Sequence, residues 1–189
     1  MAVKLFSAMV HDSEDCSAAD ELQQLSHRVH HDIVECGHLV GGDNGIGTTF
    51  SAIRLLSDRC LFSHVGDSSI YFSNGSGIKK ISKCHTLGDE LIEKHGPEAA
   101  NDMPEHYMHT LTRCMGQDID FEVDLGEQIL SPGDQLLICS DGVTNMVELD
   151  EINQMMSDLE PKDFIHALID AANQNGGVDN STAVTLKIS

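Results

Sequence analysis

Apolar residues in the first quarter of the chain recur every three or four positions, as they do on one face of a helix: Leu22, Leu25, Val29 and Ile33. We therefore predict a helix over residues 18–36, capped by Ser17. Residues 87–95, 148–159 and 161–173 are also predicted to be helical, and the first of these helices ends near Gly96-Pro97. Pro161 suits the first position of the last of these helices, where its missing N–H costs nothing.

Short alternating or wholly apolar runs, separated by Gly, Asn, Ser and Pro, predict strands over residues 48–56, 60–65, 69–72, 78–81, 121–125, 127–130, 135–139 and 181–188. The first four are joined by tight turns, which predicts antiparallel sheet between residues 47 and 82. The run 135–139 is apolar throughout, as is typical of a fully buried strand. Strands and helices occur in blocks, so we expect a single α+β domain over residues 1–189 built as a layered sandwich.

The amino-acid composition indicates which partners and which cellular environment to expect. The net charge is −20, from 31 acidic and 11 basic residues, and this argues against nucleic acid and anionic membranes as partners. No apolar run approaches the roughly 20 residues of a membrane helix. The six cysteines show no paired spacing such as C-x-x-C, so they are expected to be reduced thiols in a cytoplasmic protein.

Two aspartates stand beside predicted strands. Asp141 follows the buried strand within Ser-Asp-Gly, and Asp179 precedes the last strand within Gly-Gly-Val-Asp-Asn. A carboxylate at the end of a strand, next to a glycine that lets a ligand approach, is suited to a hard cation. Asp-Gly and Asp-Asn are also common turn dipeptides, so a turn role stays open. His27 and His31 are four apart and could share a metal, but the sequence offers no third ligand and favours a solvated face.

Six motifs occur in a fixed order along the chain: Gly47-Thr48-Thr49, Gly66-Asp67-Ser68, Cys84-His85-Thr86, Leu111-Thr112-Arg113-Cys114-Met115-Gly116, Ser140-Asp141-Gly142 and Asp179-Asn180. This series resembles the metal-dependent protein serine/threonine phosphatases of type 2C, the PPM family, and especially their compact bacterial members. The resemblance covers about residues 18–189.

The resemblance implies a fold of two antiparallel sheets flanked by helices in α-β-β-α layers. It implies two Mn²⁺ or Mg²⁺ ions that activate a water against the phosphorus of phosphoserine or phosphothreonine in a protein substrate. By motif match, Asp141 and Asp179 correspond to two of the family's metal-binding aspartates. Asp67 is expected to hold loop amides. Arg113 either pairs with an acidic neighbour or is simply a surface charge.

The sequence also departs from the family. The family begins with two strands. The first bears an Asn-Glu-Asp motif, and the next leads to an Asp-Gly-x-Gly-Gly-His motif, which supplies the metal-bridging aspartate and a histidine proposed as general acid. Residues 11–15 and 41–45 only echo these motifs. Cys84 stands where many members place an aspartate for a third metal, and a thiol is a poor ligand for Mg²⁺.

These departures lead to the expectation of an N-terminally incomplete domain that is weakly active or inactive. Its uncovered sheet edges are expected to cause self-association or marginal stability. Three explanations stay open. The chain is a fragment, or it is a pseudophosphatase that binds phosphoproteins or other partners. Otherwise its N-terminal region supplies unfamiliar ligands, for which Glu14, Asp15 and Asp43 are the candidates.

Overall fold

A computed structural model describes residues 2–12, 19–42, 45–117 and 121–189, with side chains from residue 19 onward and for residues 2–7. The predicted cap Ser17 and the candidate ligands Glu14, Asp15 and Asp43 lie outside the described residues. The chain divides into two compact units. Unit 1 comprises residues 1–56, 60–67 and 84–127, and unit 2 comprises residues 57–59, 68–83 and 128–189.

Unit 1 combines three helices with most of a small sheet. Its helices are α1 (Ala2–Asp12), α2 (Ala19–Gly41) and α3 (Leu87–His95), and two short 3₁₀ helices follow at Pro97–Asn101 and Glu105–His109. The sheet has the order β1-β2-β5, with strands β1 (Phe50–Leu55), β2 (Arg59–Val65) and β5 (Asp124–Ile129). Strands β1 and β2 form an antiparallel hairpin in which Phe50 is opposite Val65.

The core of unit 1 lies between its N-terminal helices and this hairpin. All four apolar residues predicted for one face of α2 are buried. Val29 and Ile33 pack with Phe50 and Val65. A polar contact joins the same elements, because the buried hydroxyls of Ser26 and Ser63 lie 2.7 Å apart.

Unit 2 is built on a four-stranded antiparallel sheet of order β4-β3-β6-β7. Its strands are β3 (Ser69–Ser73), β4 (Ile78–Lys80), β6 (Gln135–Cys139) and β7 (Ala183–Lys187). Three helices connect β6 to β7: α4 (Asp141–Thr144), α5 (Leu149–Asp158) and α6 (Pro161–Gln174).

Helices α5 and α6 cover one face of this sheet. Phe164, Leu168 and Ala172 recur every four residues along α6 and are fully buried. They pack with Leu137 and Cys139 of β6. Burying a side chain as large as Phe164 contributes about 1.5–3 kcal/mol, so this face anchors the strand end that carries the candidate site.

The predicted fold class, α+β with antiparallel sheets flanked by helices, is confirmed. Most element predictions agree with the structure to within a few residues. Helix α2 is longer than predicted, because it continues to Gly41. The prediction of a single domain stays a prediction.

Two expectations were wrong, and one further feature was not predicted. The strands between residues 47 and 82 do not form one sheet: β1 and β2 belong to one sheet and β3 and β4 to the other. The two strands predicted over residues 121–130 are the single strand β5. The described N-terminal residues include a helix, α1, that was not predicted.

No helix in the described ranges is both long enough and apolar enough to cross a membrane. The cysteines that the structure describes, from Cys36 to Cys139, form no disulfide bonds.

Candidate functional site

Asp141 lies directly beyond the C-terminal end of the central strand β6. The strand is predominantly buried and ends at Cys139, and Ser140 then begins the short helix α4 as its N-cap. Asp141 is the first residue of α4 and is half-buried.

The segment that carries Asp179 lies against the Ser140–Gly142 turn. The Ser140 N–H donates to the Thr182 carbonyl (3.0 Å), and the Thr182 N–H donates to Ser140 Oγ (3.0 Å). Ser140 Oγ in turn donates to the Asn180 carbonyl (3.2 Å). These bonds continue the β6–β7 pairing past Cys139 and Ala183, so both predicted aspartates belong to adjoining segments at one end of the sheet.

Gly142 makes this approach possible. A Cβ atom at Gly142 would lie 2.5 Å from the Asn180 carbonyl oxygen, which is too close for any side chain. The Ser181 hydroxyl also donates to the Gly142 carbonyl (3.0 Å). The glycine was expected to admit a ligand, but it instead admits the backbone of the second aspartate's segment.

Asp179 is exposed, and its Oδ1 accepts a hydrogen bond from the Asn180 N–H (2.6 Å). Beside it lies an open recess of about 410 Å³. The recess is lined by Ile169, Asn173, Gly177, Val178, Asp179, Asn180 and Ser181. That Asp141 and Asp179 share one cation stays a prediction.

The donor set at this end of the sheet suits a hard cation. Asp141 and Asp179 offer carboxylate oxygens, which Mg²⁺ and Mn²⁺ prefer. Burial raises the pKa of the neighbouring Cys139 thiol to about 12, so it is not available as a thiolate ligand. The described ranges contain no group of three or more His, Cys, Asp or Glu residues that could hold a metal. The two aspartates therefore fit a hydrated ion and do not form a complete two-metal centre.

The remaining predicted residues are placed as follows. The exposed His31 Nε2 lies 3.3 Å from Glu35 Oε1, and His27 lies edge-on to Phe121 with ring centroids 5.2 Å apart. This is the solvated face that the sequence favoured. The Thr48 hydroxyl donates to the Thr49 carbonyl (3.0 Å), but Thr48 was predicted to be a strand residue and lies before β1, which begins at Phe50.

The structure also contains a buried polar network in unit 1. His85 is 1% exposed; its Nδ1 accepts from the Gly66 N–H (3.0 Å). His85 Nε2 therefore carries the proton and donates to Asp124 Oδ2 (3.2 Å). Arg113 Nη1 donates to Asp124 Oδ1 (3.0 Å), so Arg113 pairs with an acidic residue and is not simply a surface charge.

Electrostatics in this network favour a neutral histidine beside an ionised carboxylate. Burial, reinforced by the nearby Arg113 charge, lowers the pKa of His85 below 6.5. Burial alone would raise the pKa of Asp124, but its hydrogen bonds to His85 and Arg113, together with the Arg113 charge, outweigh burial and hold that pKa below its ordinary value. The network was not predicted, because Asp124 is 39 residues from His85 and no local pattern links them.

No protein family model matches the chain. Protein phosphatase PhpP of Streptococcus pneumoniae is 32% identical over 157 residues, an alignment that covers 80% of the chain and 63% of PhpP. Serine/threonine phosphatase stp of Listeria monocytogenes is 30% identical over 194 residues, covering 99% of the chain and 76% of stp. The chain belongs to the PPM family of serine/threonine protein phosphatases.

Solved PPM structures share the fold. The Streptococcus agalactiae serine/threonine phosphatase has a TM-score of 0.86 at 27% identity, with 100% of the chain and 81% of that protein covered. The catalytic domain of PstP, solved with two manganese ions, has a TM-score of 0.83 at 25% identity, with 100% of the chain and 81% of PstP covered. The chain spans less than two thirds of the length of the pneumococcal PPM relative.

Proposed function

We propose that the chain is the catalytic part of a PPM protein phosphatase, which hydrolyses phosphoserine or phosphothreonine in protein substrates. The observation that carries this proposal is the paired turn at the end of β6 and β7, where the two motif aspartates lie on hydrogen-bonded segments. Family membership supplies the reaction class.

Asp141 and Asp179 would hold Mn²⁺ or Mg²⁺ at this turn. When bound, the ion would lower the pKa of water and neutralise charge on a phosphoryl group. The manganese ions of PstP support Mn²⁺ as the first ion to test. The chain's own residues fix the two carboxylates: Ser140 joins the segments by three hydrogen bonds, and Gly142 allows their close approach.

We propose further that this chain alone turns substrate over weakly or not at all. Two carboxylates without a third ligand group among the described residues make a weak site for a divalent ion, because such ions need several ligands in good geometry. The same observation favours a second candidate function. In that function the chain is a pseudophosphatase, which binds phosphoproteins or other partners without hydrolysing them.

The test is Mn²⁺-dependent hydrolysis of a phosphoserine peptide and of an aryl phosphate by the purified 189-residue chain, with Asp141→Asn as the control. We expect very low turnover that is lost in the variant. Robust turnover that is lost in Asp141→Asn would establish the phosphatase and refute the proposed weakness, pointing to Glu14, Asp15 or Asp43 as a further ligand. Turnover that persists in the variant would exclude Asp141 as a ligand.

Self-association through sheet edges is also proposed. Among the described residues, Val184 on edge strand β7 is 54% exposed and Ile129 on β5 is 66% exposed. Exposed apolar edge strands favour pairing with another chain. Sedimentation velocity across a concentration series should show association, and a Val184→Lys variant should reduce it. A wild-type chain that stays monomeric throughout would contradict this expectation.

A further inference from the structure

Positive charge is concentrated at one edge of the unit 2 sheet. Residues 68–88 contain none of the 31 acidic residues of the chain but three of its 11 basic residues, Lys79, Lys80 and Lys83. Lys79 and Lys80 lie on β4, which is the edge strand next to β3. Both side chains are exposed. In a chain of net charge −20, this edge is a local exception.

The two lysines are available to an incoming anion. Neither ammonium group forms an ion pair with a carboxylate within the part of the chain that the structure describes. Lys79 Nζ instead lies 5.1 Å from the centre of the Phe72 ring, a cation–π contact that orients its charge. Lys80 is opposite Tyr71 and therefore projects from the other face of the sheet.

The backbone of β4 is also open on its outer side. The Ile81 N–H donates inward to the Ile70 carbonyl (2.8 Å). Backbone direction alternates along an antiparallel strand, so Lys79 bonds inward to β3, while the N–H and C=O groups of Ile78 and Lys80 point away from it. These groups are spaced to pair with an added strand.

The edge lies within reach of the candidate metal site. Lys80 is opposite Tyr71, which is opposite Leu137, so two strand spacings separate Lys80 from β6. Asp141 follows Leu137 by four residues at the end of that strand. From strand geometry the distance between Lys80 and Asp141 is roughly 15 Å, which about five residues of extended peptide would span.

We propose that the β4 edge is a docking surface for an acidic segment of the protein substrate, which adds to the sheet as a strand opposite Lys79 and Lys80. The occupant follows from charge: a positive edge on an otherwise acidic protein selects anionic peptide. An antiparallel added strand starts at the Asp141 end of the sheet, because β4 runs toward that end. The acidic residues of the substrate thus lie about five positions C-terminal to its phosphoserine. The identity of the ligand rests on the proposed phosphatase function.

Binding of two labelled phosphoserine peptides to the full chain, with metal chelated to prevent turnover, tests the docking surface. One peptide carries four glutamates centred five positions after the phosphoserine, and the other carries glutamines there. We expect the acidic peptide to bind about three- to tenfold more tightly, as two exposed charge pairs allow. Lys79→Gln with Lys80→Gln should remove this preference. The matched control, Lys94→Gln with Lys162→Gln, removes two exposed lysines elsewhere and should retain it.

Amide hydrogen exchange distinguishes strand addition from simple charge attraction. The acidic peptide should slow exchange at Ile78 and Lys80, whose N–H groups point outward. Unchanged exchange at these amides would overturn strand addition. A peptide preference that survives in the Lys79→Gln, Lys80→Gln chain would overturn the surface itself. The docking surface would also be overturned if the Lys79→Gln, Lys80→Gln variant differed from the wild type only in self-association. That result would show that the lysines only protect the edge from pairing.

Mn²⁺-dependent hydrolysis of an aryl phosphate, measured on the same proteins, separates this inference from the proposed function. An aryl phosphate has no segment that could reach β4, so its turnover depends only on the candidate metal site. Selective acidic-peptide binding without any aryl phosphate turnover would uphold the docking surface and count against catalysis. Turnover of the aryl phosphate without selective binding of the acidic peptide would support catalysis and overturn the docking surface.

Discussion

Carboxylates have different surroundings in the two units. Asp124 in unit 1 accepts hydrogen bonds from His85 and Arg113, and its side chain is only 27% exposed. Asp179 in unit 2 is exposed and accepts from the N–H of its own neighbour, and Asp141 is half-buried at a helix start. A carboxylate held by two donors stabilises the fold, whereas a carboxylate that is open to solvent can accept a ligand. We therefore infer a structural role for Asp124 and propose metal binding for Asp141 and Asp179.

The largest expected effect on the free energy of unfolding comes from a substitution at Gly66, whose N–H donates to His85 in the unit 1 network. Gly66 has φ of +110°, and a Cβ there would lie 2.4 Å from Thr49 Cγ2. We expect Gly66→Ala to lower the free energy of unfolding by roughly 3 kcal/mol, from backbone strain and overpacking together. Gly75→Ala is the control, because Gly75 has φ of +77° but open space around it. Its cost should be about 1 kcal/mol in urea titrations. Equal costs would show that crowding at Gly66 is unimportant.

A smaller effect is expected from matched aspartate substitutions. Asp124→Asn leaves Arg113 and His85 without their anionic partner, so we expect a loss of roughly 2 kcal/mol in the free energy of unfolding. Asp141→Asn in the metal-free chain should cost less than about 0.5 kcal/mol, because asparagine has nearly the same shape as aspartate at this half-buried position. Denaturant unfolding of both variants measures the difference. A costly Asp141→Asn would mean that this carboxylate is structural too.

The smallest effect is a dependence of stability on pH. The folded pKa of His85 lies below 6.5, so the unfolded chain binds more protons as the pH falls below 6.5. The contribution of His85 is therefore complete above pH 6.5 and is lost as the pH falls toward its folded pKa. Asp124 adds a second loss below pH 3.8.

His85→Gln tests the first of these pH windows. The variant should be less stable than the wild type above pH 6.5, because Gly66 and Asp124 lose their imidazole partner. Its unfolding midpoint should also change less between that pH and slightly acidic buffer. A variant with the wild-type pH dependence would show that another group controls it.

Local patterns predicted the elements of unit 2 well. Helices α5 and α6 and strand β6 carry clear periodicity or continuous apolar runs, and each was predicted to within about two residues. Asp141 and Asp179 were identified because their motifs flank such strands. Sequence alone could not show that the Gly142 space is filled by Asn180, because that contact joins segments 38 residues apart.

Non-local features were harder to predict. The turn between β2 and β3 resembles a hairpin turn, but the chain passes from one sheet to the other there. The alternation of apolar and polar residues along a strand indicates which face of the strand is buried. It does not indicate which sheet the strand joins. The His85–Asp124–Arg113 network was missed for the same reason, since its partners come from separate segments of the chain.

The central claim is that Asp141 and Asp179 together hold a divalent cation. Thermal unfolding with and without Mn²⁺, for the wild type, Asp141→Asn and Asp179→Asn, tests it most directly. Ligand binding to the folded state alone raises the melting temperature, so we expect Mn²⁺ to raise that of the wild type. Neither variant should respond, while all three metal-free chains melt at nearly the same temperature. A Mn²⁺-induced rise that persists in both variants would contradict the claim.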